Sequence, residues 1–295
     1  VAARPRSLTA AIAAAVLLLV AGCRDAAPVD RPVAQRVVSL VPAVTEMLFA
    51  VGAGSQVVGV SSYDHFPPDV ERLPKVGALI DPDTERILSL RPDLVIVYGS
   101  QTDAEARFSK AGIRTYSYRH RTTSAVAATF DAITEIGALT GHDAQARDVV
   151  TRVSADLEAV RARVAGLPRP RTALVMGREP GTLQGIYVSG GTGFLHEVLD
   201  IAGGANAFGD IKGESAQPST ETLLARAPDV ILELQAASRA DIDRSMDVWK
   251  KLASIPAVRT SRVHAVIGDF VVVAGPRLAR GTEAVARALH PDAFK

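Results

Sequence analysis

Cysteine is almost missing from this chain. Cys23 is the one thiol in 295 residues, so no internal disulfide can staple the fold and stability must come from a buried core. The six histidines, His65, His120, His142, His196, His264 and His290, are scattered without the spacing of a zinc site. There is no GxSxG nucleophile elbow. Ser189-Gly190-Gly191-Thr192-Gly193 is rich in glycine, but no Gly-Lys-Ser/Thr follows and no GxGxxG opens a helix, which argues against a nucleotide site. Lys and Arg number 33 against 32 Asp and Glu, so neither a basic field for nucleic acid nor an acidic tail is present. These gaps leave no catalytic constellation. The chain is expected to be no enzyme and to carry no resident cofactor or metal.

The longest apolar run, Leu8 to Val20, falls short of the roughly 20 residues that span a bilayer. Arg4 and Arg6 precede it and Val20-Ala21-Gly22-Cys23 closes it, which reads as a charged region, an apolar region and a small-residue cleavage site. The position of Cys23 resembles the bacterial lipoprotein signal, which implies cleavage before the cysteine and lipid on its sulfur. An ordinary signal peptide or an N-terminal anchor is the alternative. On this reading 1–22 are a leader and 23–35, rich in Pro, Ala and Asp, a linker. The mature protein is expected outside the cytoplasm, in the periplasm or at the cell surface, held to a membrane at Cys23.

Beyond the linker the chain repeats one stretch. Asp83-Thr84-Glu85 to Pro92-Asp93-Leu94-Val95-Ile96-Val97 returns 136 positions later as Ser219-Thr220-Glu221 to Pro228-Asp229-Val230-Ile231-Leu232-Glu233. Asp83 and Ser219 are N-cap residues, Glu85 and Glu221 sit where the helix dipole favours negative charge, and the prolines stop each helix. A short β-branched run follows each, as in a buried parallel strand. The repeat is too long for a solenoid unit and implies two similar lobes. Strands are expected at 37–41, 57–60, 94–97 and 114–118, with helices at 45–51, 84–90 and 103–111 between them. The second lobe repeats the scheme, with strands at 172–176, 230–234 and 263–266 and helices at 194–201, 220–227, 239–254 and 283–289. Between the lobes, 124–139 and 143–164 have helical spacing, and the second would reach roughly 33 Å.

The fold class expected is α/β: two Rossmann-like lobes with parallel sheets, 36–122 and 171–295, joined through 123–170 by one long backbone helix, with a ligand cleft between them. Ligands of such sheets bind beyond the carboxyl ends of the strands. There lie Pro42-Ala43-Val44, Ser61 to Pro68, Gly99-Ser100-Gln101 and Arg119-His120-Arg121.

Ser39-Leu40-Val41-Pro42-Ala43-Val44-Thr45-Glu46, Gly59-Val60-Ser61-Ser62-Tyr63-Asp64 and Glu85 to Ile96 resemble the substrate-binding proteins of ABC importers for cobalamin, haem and ferric siderophores, and among them most the cobalamin binder. The resemblance implies capture of a metal chelate, a monomer, and delivery to an ABC permease and its ATPase. It implies a corrinoid first, with haem or a ferric siderophore as the alternative; an enzyme on the same scaffold is a third reading. It makes Glu85 and Glu221 docking residues for permease arginines, although each could be a plain helix-N-terminal acid. Pro42, Ala43 and Tyr63 match ligand-contacting positions. Leu79-Ile80-Asp81 and Gln217-Pro218 stand where the cobalamin binder has tryptophans, and Trp249 has the apolar spacing of a core residue.

A flat amphipathic macrocycle calls for aromatic faces and a few donors. Tyr63, Tyr98, Tyr187 and Phe270 are the aromatic candidates, with Arg178 and Arg277 to meet propionates, phosphate or amide oxygens. For haem, Tyr63 or His65 is the axial-ligand candidate.

Overall fold

The computed structural model describes residues 32–78, 80–119, 124–235 and 246–295, and Val33–Lys295 form one compact unit. Cys23, the leader, most of the linker, His120 and Arg121 lie outside the described residues, as does the first part of the helix expected at 239–254. In its later part Asp247–Leu252 form a 3-10 turn. The end of the linker is already folded: Ala34 is fully buried and its N–H donates to Leu139 O at 2.8 Å.

The first lobe runs β1 (Val37–Ser39), α1 (Pro42–Ala50), β2 (Val57–Val60), α2 (Thr84–Ser89), β3 (Leu94–Tyr98), α3 (Thr102–Lys110) and β4 (Arg114–Tyr118). Its strands lie in the order β2-β1-β3-β4, all parallel. Two helices follow, α4 (Ala125–Thr140) and α5 (Asp143–Val164).

The second lobe contains β5 (Arg171–Gly177), β6 (Tyr187–Ser189), α6 (Phe194–Ile201), β7 (Ala205–Asn206), β8 (Ser215–Ala216), α7 (Thr220–Arg226), β9 (Val230–Gln235), α8 (Pro256–Arg259), β10 (Val263–Ile267) and α9 (Leu278–Leu289). Here β10, β9 and β5 are parallel, and β7 adds to β5. Antiparallel β6 and β8 extend the other edge, so this sheet is mixed where an all-parallel one was expected. Strand β6 runs into the glycine-rich stretch at Ser189, so that stretch begins at the end of a sheet strand.

The repeated stretch does the same work in both lobes. Asp83 accepts from Arg86 N at 2.9 Å and Ser219 from Thr222 N at 3.2 Å, so both caps form. The residue before each proline is left-handed, Arg91 at φ 48° and Ala227 at φ 45°, which ends the helix sharply. The aspartate after each proline then clamps the lobe's first strand. Asp93 accepts from Gln35 N and Arg36 N at 2.8 and 3.1 Å, and Asp229 accepts from Arg171 N at 3.0 Å. These clamps set the registers Val37 beside Leu94 and Thr172 beside Val230.

Helix α5 buries Ala146, Val149, Val153, Leu157, Val160 and Val164, a single stripe at three- and four-residue spacing. It packs against α4 and against α9, which ties the two lobes together. A second tie is polar. Glu197 of α6 reaches the start of α4 and accepts from Ser124 Oγ, Ala125 N and Val126 N at 2.8, 2.7 and 3.1 Å. One carboxylate thereby satisfies two of the otherwise unpaired amides that open that helix.

Candidate functional site

A cleft of about 680 Å³ opens where the carboxyl ends of β1, β3, β4 and β5 meet loops of both lobes. Its floor begins at Leu40 and Val41, followed by Pro42 and Ala43 at the start of α1. Proline suits a first helical position because the N–H it lacks has no partner there. Thr45 Oγ1 donates to Ser39 Oγ at 2.8 Å beneath this turn and holds it on the strand end.

Tyr63 stands beside the floor with two thirds of its surface exposed. Its backbone is fixed by a tight turn in which Ser61 N donates to Asp64 Oδ2 at 2.8 Å and Lys75 Nζ to Asp64 O at 2.6 Å. Tyr98 and Tyr118 end adjacent strands and also line the cleft, with ring centroids 6.1 Å apart and planes tilted by 58°. Burial pushes both phenols upward in pKa, and for Tyr98 the negative charge of Glu214 adds to it. The second lobe contributes Met176, Phe194, Leu195 and the Val272–Ala274 segment.

Two carboxylates complete the lining, one from each lobe. Asp81 belongs to a turn that only glycine permits at Gly77, whose φ is +88° and where a Cβ would fall 2.6 Å from Asp81 O. That turn also presents Ile80, which is 95% exposed. Glu214 precedes β8, and its stem lies over Gly193, where a Cβ would fall 2.7 Å from Glu214 Cγ.

Of the eight residues expected at the ligand, Pro42, Ala43, Tyr63 and Tyr98 line the cleft. The other four do not, each for a physical reason. Arg178 is buried inside the second lobe, 2% exposed like its partner Glu233, at 3.1 Å. Trp249, which is core as its spacing implied, donates to the same carboxylate at 2.8 Å.

Arg277 points away from the cleft into the seam between lobes. It donates to Glu46 at 2.8 Å and to Asp269 at 2.8 Å, with its guanidinium 3.9 Å from the Phe66 ring centre. Phe270 packs against the core and lies under Arg280 at 4.3 Å. Tyr187 is exposed on β6 and is not among the cleft's lining. His65 also lies outside it and faces Glu71 at 3.2 Å.

Glu85 and Glu221 are exposed in the first turns of α2 and α7, at matching points of the two lobes. The Ser219 hydroxyl holds the Glu221 carboxyl below its usual range.

The seam behind the floor is acidic and buried. Burial pushes Glu46 and Asp64 above the usual carboxylate range, although Arg277 partly offsets it for Glu46. Asp269, bonded to Arg277 and more open, is held below. A carboxyl raised in the folded state favours folding below its unfolded pKa and loses that advantage as pH rises through the folded value. Relative to Asp64→Asn, the wild type should therefore gain stability as pH falls from 7 towards 4. Urea midpoints of both proteins at pH 7 and 4.5 measure this, and a gap that does not change with pH would contradict it.

The cleft's missed residues had weak signals. Tyr118 and Met176 close expected strands and Phe194 and Leu195 open an expected helix, so their place at element ends was the signal that could have found them. Asp81 was visible as a departure beside Ile80, and Glu214 lies next to a strand of two residues.

Comparison with known proteins matches residues 37–266 to the family described as periplasmic binding protein. The vitamin B12-binding protein of Salmonella typhimurium is 29% identical over 264 residues, which cover 89% of this chain and 92% of that protein. The ABC transporter substrate-binding lipoprotein YvrC of Bacillus subtilis is 29% identical over 265 residues, covering 88% of this chain and 82% of it. The apo structure of a periplasmic heme-binding protein from Roseiflexus sp. has a TM-score of 0.75 at 27% identity, covering 88% of this chain and 99% of that one. The two-lobe α/β architecture is thus shared across proteins named for different chelates.

Proposed function

The chain belongs to the periplasmic binding protein family, and we propose that it captures a corrinoid of the cobalamin type and hands it to a membrane permease. It is an ABC substrate-binding protein of the cobalamin, haem and siderophore group and acts outside the cytoplasm. The observation that carries the corrinoid reading is the cleft itself. Both lobes turn aromatic and aliphatic side chains, Tyr63, Tyr98 and Phe194 foremost, onto one opening. A flat macrocycle can cover such a lining while its edge meets the polar rim. The vitamin B12-binding relative supports the same cargo.

Capture needs no bond chemistry, so no catalytic residue is assigned. Delivery would run through Glu85 and Glu221, one on each lobe, to cationic groups of the permease and on to its ATPase. A lipid on Cys23 would keep the monomer near that permease.

Haem, or a ferric siderophore, is the second reading, and one feature favours haem: the exposed Tyr63 phenol is placed to ligate an iron within the cleft. Calorimetric titration of the protein beginning after Cys23 separates the two. Saturable one-to-one binding of cyanocobalamin at micromolar or tighter affinity is expected. Heat from hemin alone would replace the corrinoid by haem.

A further inference from the structure

Resting on the reading of the cleft as a macrocycle site, we propose that Asp81 and Glu214 select the cargo by its periphery: a ring edged with amide N–H donors is taken, and one edged with carboxylates is refused. The two side chains come from opposite lobes, both are exposed, and both border the same cleft. Neither carboxylate accepts a hydrogen bond from the described residues. An ionised carboxylate accepts and never donates, so each offers its whole capacity to a ligand N–H.

A ligand carboxylate in the same position meets like charge instead. Among the described lining residues no side chain is cationic, so nothing there offsets the repulsion. At a few ångströms in a partly screened cleft such a contact weakens binding by about tenfold. Burial raises the pKa of Tyr98 in one lobe, and the negative charge of Glu214 in the other adds to it across the cleft. The stem of Glu214 is seated over Gly193 and Asp81 is set by the turn at Gly77, so both carboxylates stand on defined backbone.

The test compares wild type with the double variant Asp81→Asn/Glu214→Gln, two near-isosteric changes at exposed sites, with thermal midpoints as the check on folding. Both proteins are titrated with dicyanocobinamide, edged by amides, and with dicyanocobyrinic acid, edged by carboxylates; hemin serves as a second carboxylate probe. Wild type should prefer cobinamide, and the variant should bind cobyrinic acid about tenfold tighter while cobinamide binding stays or weakens. Cobinamide binding with a preference unchanged in the variant overturns the selection and leaves the corrinoid reading standing. Hemin binding alone overturns both the corrinoid reading and the preference for an amide-edged cargo; a tightening of about tenfold in the variant would leave only the repulsion of carboxylates by Asp81 and Glu214.

Discussion

Reversing charge at both docking positions, Glu85→Lys with Glu221→Lys, is expected to abolish transport by the reconstituted permease and ATPase while cyanocobalamin affinity stays unchanged. Both side chains are exposed, and neither lines the cleft. The caps of their helices are made by Asp83 and Ser219, so the reversal leaves the capping hydrogen bonds in place and removes only the Ser219–Glu221 contact. The macrodipole prefers an acid in the first turn, but this preference is small and screened by salt. A midpoint close to wild type is therefore expected. The duplication of the acid on the two lobes is what a helix-end role alone leaves unexplained, since either helix would be served by its cap. Uptake of labelled cyanocobalamin into proteoliposomes, beside a titration on the same preparation, gives the answer. Equal losses of uptake and affinity would move the two glutamates from docking to the ligand site or the fold.

Arg178→Met is expected to destabilise the protein by about 3–5 kcal/mol, because it leaves Glu233 charged and buried without its cation. Ligand affinity should be untouched once the protein is folded. The companion Arg178→Met/Glu233→Leu should recover most of the loss, since burying neither charge is often as good as burying both. It will not recover all of it, because Trp249 Nε1 then loses its acceptor. Chemical denaturation of the four proteins of this cycle measures the coupling. An unchanged midpoint for Arg178→Met, combined with weaker ligand binding, would return Arg178 to the cleft.

These two expectations also mark where sequence reasoning succeeds and stops. Local periodicity is legible: β2 at 57–60, β4 at 114–118 and α5 at 143–164 fall where hydrophobic spacing placed them. The repeated stretch announced two lobes, and its caps form as the polar residues implied. The clamp by Asp93 and Asp229 stayed hidden, because its partners at Gln35, Arg36 and Arg171 lie 57 or 58 residues away.

Arginines were read worst, for the same reason. Arg178 finds Glu233 across 55 residues and Arg277 finds Glu46 across 231, and no local pattern distinguishes such a residue from one that greets a ligand. Tyrosines at strand ends were easier, because topology alone puts Tyr63 and Tyr98 on the ligand side. The short antiparallel strands β6 and β8 have too few residues for any period, and their pairing is decided by the sheet they join.

The hold of Glu197 on α4 bears on how freely the second lobe can part from the helix that opens the connecting segment. A rotation that widens the mouth at this contact would draw one carboxylate off three donors together. Resistance is therefore steep over the first ångström of gape and weak after it, as in a caliper with set jaws. The three bonds thus act as one latch between α6 and α4.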